Sequence, residues 1–158
     1  MKRLLIGIIG VTMLFGPASW VSGADNPGVG SWKINLAKST YNPASLAPKS
    51  TTLKTDAAGD AFKTAVDVVD STGKSLHYEY TYKLDGKDVR VTGDPNRDMT
   101  SVKKIDDVTY EQVNKRGGKV MTTSRVVYAK DFKSRTITTK GTNPAGQAVN
   151  NVVVWDRQ

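Results

Sequence analysis

The chain has no cysteine, and it has a single histidine in 158 residues. Without thiols there is no disulfide framework, no thiolate nucleophile and no zinc site of the cysteine type. One imidazole among scattered acids is a poor metal set, because zinc generally takes several His or Cys ligands. No G-x-S-x-G, no H-E-x-x-H and no phosphate loop occurs in the sequence. Helical periodicity is nearly absent past residue 24, and so are internal repeats and low-complexity tracts. These gaps leave no nucleophile, metal set or cofactor motif, so a non-catalytic role with no cofactor is expected.

The N-terminal segment reads as an export signal. Lys2 and Arg3 precede an uncharged apolar run, Leu4 to Phe15, which Gly16 and Pro17 break. Small residues follow, with Ser22 and Ala24 where a signal peptidase reads. The apolar run is short for a bilayer span, which needs about 20 residues. Residues 1–24 are therefore expected to be a secretory signal peptide cleaved between Ala24 and Asp25. The product, 25–158, would be one domain and would carry no transmembrane span. It would reside in the periplasm or outside the cell, as a monomer. An exported domain without disulfides must be held by its core alone.

The formal charge is +8, and removing Lys2 and Arg3, the only charges of 1–24, leaves +6. A basic balance can attract an anionic envelope polymer. Lys103, Lys104, Lys115, Arg116 and Lys119 would have to gather on one side for that. They sit at strand ends or turns, where solubility and edge protection also explain them. No feature points to a specific nucleic acid.

What the chain does have is period-2 patterning rich in Thr, Val and Tyr. Strands are expected near 30–36, 50–56, 61–69, 75–84, 87–92, 99–105, 108–115, 118–129, 133–141 and 147–156. Connectors such as "AAGD", "DSTGK", "RGG" and "NPAG" carry Gly, Asp or Asn where tight turns need positive φ. Two linkers are longer: 37–50, with Pro43 and Pro48 and room for one helical turn, and the turn-rich 92–98. A meander of about ten strands hides its edges best by closing, so the fold expected is all-β: a single antiparallel up-and-down barrel, with a β-sandwich as the alternative. An outer-membrane barrel is disfavoured, because Lys, Asp, Glu and Arg fall on at least one face of every strand.

The two ends of this meander carry a resemblance. Gly30-x-Trp32 opens the first strand and "NNVVVWDRQ", Asn150 to Gln158, forms the last. Gly30-x-Trp32 resembles the G-x-W signature of the lipocalin and fatty-acid-binding families, the calycins. The closing segment is similar to that of the fatty-acid-binding branch. The resemblance implies that Gly30 turns the chain into the barrel, that Trp32 plugs its closed end, and that Arg157 packs across the indole. It also implies carriage of a small hydrophobic or amphipathic molecule. The whole chain looks like small exported bacterial proteins described only as lipocalin-like. Two family features are missing. The segment 37–50 is too rich in proline for a two-helix lid. The R-x-Y carboxylate clamp falls on Val153 and Trp155, which cannot pair with a carboxylate.

The stretch "SLHYEYTYK" decides which face turns inward. Leu76, Tyr78, Tyr80 and Tyr82 share one face, and His77, Glu79, Thr81 and Lys83 share the other. The second set is solvent-like, so the tyrosines are expected inside. His77 and Glu79 lie roughly 7 Å apart along a strand, too far for a direct acid/base pair. Tyr78, Tyr80, Tyr82, Tyr110, Tyr128 and Trp155 are the candidate ligand wall; the alternative is that such rings simply fill the barrel, leaving a solid envelope protein that contacts anionic polymers through its basic surface. Leu36, Leu53, Phe62, Val66, Val68, Ile105, Val120 and Ile137 are expected to add to the core. Thr64, Thr122, Ser124 and Thr139 share such faces, and hydroxyls on an inner face suit a hydrated cavity better than a dry one, since each one buried without a partner costs about 1–3 kcal/mol.

Overall fold

A computed structural model describes residues 26–158. The expected signal segment and its cleavage point lie outside these residues. Ten strands follow in order: β1 (Gly30–Thr40), β2 (Ser50–Ala58), β3 (Ala61–Val69), β4 (Ser75–Tyr82), β5 (Val89–Thr92), β6 (Met99–Lys104), β7 (Thr109–Arg116), β8 (Lys119–Tyr128), β9 (Ser134–Thr142) and β10 (Ala148–Arg157). Every pairing is antiparallel between chain neighbours, and β1 also pairs with β10. The sheet is thus a closed barrel, not a sandwich, and no ladder is left open. All ten expected strands form. The segment 37–50 holds a single 3-10 turn, Ala44–Leu46.

Alternation sorts the two faces. Tyr80 and Tyr82 are buried while His77, Thr81 and Lys83 are exposed. One continuous core joins Trp32, Ile34, Tyr80, Tyr82, Val91, Val102, Tyr110, Val126, Tyr128, Val153 and Trp155. Val66 is also buried, and Leu53, Phe62, Val68 and Ile137 are partly so.

Three expected core residues are instead exposed: Leu36 at 40%, Ile105 at 48% and Val120 at 49%. Each failure has a local cause. Leu36 sits in a break of the β1–β10 ladder, where Asn35 faces Val154 and the next pair is Thr40 with Val152. Side chains replace the lost ladder bonds there, with Ser39 Oγ accepting from the Val154 amide at 3.0 Å. Val120 lies beyond a bulge. Asn114 faces Thr122 but Lys115 faces Val120, so Met121 is an extra residue and the alternation inverts past it. Ile105 falls just past the end of β6, in the turn to β7.

The least paired part of the wall is β5. It shares two register pairs with β4 and two with β6. Beyond it the chain swings out through Gly93, at φ +92, where a Cβ would sit 2.4 Å from the His77 carbonyl oxygen. Only glycine allows that approach.

Candidate functional site: a sealed end and an open cup

The barrel has two unlike ends. At the sealed end Trp32 is fully buried and its indole N–H donates to the Gly28 carbonyl at 2.9 Å. The Trp32 and Tyr128 rings meet edge-on at 5.6 Å, and Tyr110 meets Tyr128 likewise at 5.6 Å. The Arg157 guanidinium lies 4.4 Å from the Trp32 ring centre. It also donates to the carbonyls of Pro27 (2.6 Å), Val29 (2.7 Å) and Phe132 (2.8 Å). One side chain of the last strand therefore ties the incoming chain to the β8–β9 turn. Gly30 is required twice over. Its φ is +119, and a Cβ would stand 2.7 Å from Arg157 Nη1.

A second arginine went unrecognised in the sequence. Arg135 is 93% buried, as its 7% exposure requires, and its guanidinium carbon lies 4.6 Å from the Trp32 ring centre and 5.3 Å from that of Trp155. Ile137 and Thr139, on the same face of β9, were already expected inside, so parity alone would have placed it there.

Above this seal is a small interior cavity of about 60 Å³. Tyr80, Tyr82, Tyr110 and Tyr128 all line it. Trp155 is buried beside Arg135, outside the lining of this cavity and of the cup described below. A space of that size suits water-sized occupants, not an organic ligand. Burial pushes the Tyr110 hydroxyl up to about 12 and the Tyr82 hydroxyl also well above the usual tyrosine range. The expected inner hydroxyls are present and mostly paired with one another: Thr55 with Thr64 at 2.8 Å and Ser124 with Thr139 at 2.8 Å.

A polar layer separates this cavity from the open end. Gln112 donates to Thr100 Oγ1 at 3.0 Å, and Thr100 donates to Asn114 Oδ1 at 2.9 Å. Asn114 in turn donates to Thr122 at 3.0 Å. Arg97, from the 92–98 loop, joins the layer through Asn114 Oδ1 and pairs with Asp94 at 2.9 Å. Both side chains of that pair are nearly buried, at 12% and 8% exposure. The Arg97 guanidinium also lies 4.8 Å from the Tyr78 ring centre and 5.5 Å from that of Tyr80.

Over this floor opens a cup of about 680 Å³. Tyr41, Leu46 and Pro48 of the proline-rich segment line it, with Leu76, Tyr78 and Met121 from the wall. Its size falls in the range of small-molecule sites. Burial pushes the Tyr78 and Tyr41 hydroxyls up to about 12, so both rings present neutral phenols. Of the six candidate wall residues, then, Tyr78 alone reaches the cup. Arg97, Asp94 and Asn114 were not identified from sequence, because the 92–98 loop and β7 bring them together.

The cup's charges balance. Its lining contains Asp70, Lys74, Asp94 and Arg97. Asp94 is held by Arg97, while Asp70 accepts from the Thr72 hydroxyl (2.6 Å) and the Thr72 and Lys74 amides, bonds that keep its carboxyl below the usual range.

Elsewhere, His77 is exposed and its ring meets Asp67 at 2.7 Å on the outer surface, not Glu79. Among the described residues no group of three or more His, Asp or Glu is placed to hold a metal. The basic residues do not gather into one patch. Lys104 faces Tyr110 and Lys115 faces Met99, so they lie near opposite ends of the β6–β7 ladder, roughly 17 Å apart at strand spacing. Lys104 pairs with Asp107 and Lys115 with Asp88.

Comparison with known proteins gives no family model and no curated protein that matches this chain. The ten-strand antiparallel up-and-down barrel fits a calycin-like, lipocalin-like fold.

Proposed function

We propose that this protein is an exported lipocalin-like carrier that holds one small amphipathic molecule in the open cup without transforming it. The observation that carries the reading is the cup itself, of about 680 Å³ and lined by tyrosine, aliphatic and methionine side chains above a polar floor. The missing R-x-Y clamp and the balanced lining charges favour an uncharged head group over a carboxylate. An apolar tail would lie against Leu76, Val68 and Met121, and a hydroxyl or ester head would meet Arg97, Asn114 and Tyr78. The neutral phenols and the paired arginine supply hydrogen bonds without a net field. Cleavage between Ala24 and Asp25 would release the domain to the periplasm or beyond.

The test is native mass spectrometry of protein purified from its host envelope without detergent. Thermal shifts with a monoacylglycerol, a fatty alcohol, a fatty acid and an aromatic alcohol complete it. A co-purifying neutral amphiphile, and a shift that Met121→Trp abolishes by filling the cup, are the expected results. A bare chain mass with no shift from any of the four compounds would overturn the proposal.

A further inference from the structure

Among the described residues, the sealed end contains a cation with no counter-charge. Arg135 is 7% exposed, and only its Nη1 has a partner, the Tyr128 hydroxyl at 3.0 Å. Among the described residues its Nε and Nη2 have none. The described residues that line its 60 Å³ cavity include no Asp or Glu. The Tyr110 hydroxyl, on the same cavity, is also buried and unpartnered, and so is the indole N–H of Trp155, whose ring stands 5.3 Å from the guanidinium. A guanidinium keeps its charge in a protein interior. The rings of Trp32, Tyr128 and Trp155 offset part of that charge through their faces. They offer nothing to accept from Nε or Nη2.

We infer that this cavity holds one small inorganic anion of halide size against Arg135. Water would satisfy the N–H groups but leave the charge buried and uncompensated, whereas an anion does both. The unpartnered groups on the cavity lining are one-sided: the guanidinium N–H groups of Arg135 and the Tyr110 phenol can all donate. The cavity admits a water-sized species and is too small for an organic acid. The site lies across the polar layer from the cup and does not depend on what the cup carries.

Two measurements on the intact domain test this. In crystals grown with sodium bromide, an anomalous peak is expected beside Arg135 Nη2. In thermal unfolding at fixed ionic strength, the midpoint is expected to climb with the logarithm of chloride when chloride replaces gluconate, an anion too bulky to enter. Arg135→Met should remove that dependence, and Tyr110→Phe, which keeps the charge, should weaken halide binding several-fold. If Arg135→Met does not fold, the bromide map and Tyr110→Phe decide. Ordinary water density at Arg135 without an anomalous peak, or equal midpoints in chloride and gluconate, would overturn the inference.

Discussion

The two ends of this barrel are made of the same residue types and put them to different uses. At the sealed end aromatic rings pack on each other, and Trp32 touches two guanidiniums, Arg135 and Arg157. At the open end the same kind of pair, Arg97 with Tyr78, stands beside 680 Å³ of space. The difference lies in what surrounds the arginine. Arg157 is anchored by three backbone carbonyls. Arg97 is anchored by an acid and an amide at the edge of a cup. Rigid backbone partners make a seal, and side-chain partners leave a surface that a ligand can meet.

Substitutions at the two ends should therefore separate stability from binding. The largest effect is expected from Trp32→Ala, which empties the seal and should cost about 3–5 kcal/mol in urea unfolding. A loss under ~1 kcal/mol would show that the seal is not what holds the barrel.

Alkaline pH comes next. The Tyr110 hydroxyl titrates near 12 when folded, against an ordinary value near 10. Its pKa is raised by folding, so its contribution is fully present below pH 10 and is lost as pH rises from 10 to 12. The slope for one such buried group is about 1.4 kcal/mol per pH unit. Denaturant midpoints measured from pH 9 to 12 should fall along that window, and Tyr110→Phe should remove one group's share of the fall, with Tyr41, Tyr78 and Tyr82 supplying the rest.

Gly30→Ala should cost about 1–3 kcal/mol from its left-handed backbone, with a further penalty from the clash with Arg157. In a double-mutant cycle, Arg157→Ala should relieve the clash and leave the backbone cost, so the two changes would not add.

At the open end Met121→Trp should alter stability by no more than ~0.5 kcal/mol, since Met121 lines free space, while ligand affinity drops at least about tenfold, by the loss of roughly 1.4 kcal/mol of binding. Smallest of all, Asp67→Asn on the outer His77 pair should change unfolding by only about 0.2–0.5 kcal/mol. A large effect there would make that surface more than a solvated wall.

The sequence made the barrel legible because its signals are local. Turn residues mark the hairpins, and alternation along β4 puts Tyr80 and Tyr82 inside with His77 outside. Gly30, Trp32 and Arg157 meet at the sealed end, with the guanidinium 4.4 Å from the indole ring centre. Where alternation fails, an irregularity inverted it, as the bulge at Met121 did for Val120. The cup was less legible. Tyr78 was read correctly as facing inward, but its partner Arg97 comes from a loop with no periodicity to place it. The depth of each inward residue was also hidden. Alternation says that Tyr78 and Tyr82 share a face, and only the register between strands says that one meets the cup and the other the small cavity.

The Arg157 contacts have a consequence for how the chain folds. Arg157 and Val29 are 128 residues apart in sequence, and they meet across the strand pair that closes the barrel. Every other pairing joins consecutive strands. The hairpins can zip locally, but closure requires the longest loop in the chain to come together and is the slow, late event. Until then β1 and β10 are open edges, the hazard that leads β-proteins to stick to one another. Lys33 and Asp156, paired across that seam in the finished barrel, put opposite charges on the two edges. They discourage each edge from joining its own kind while favouring the partner at the far end of the chain.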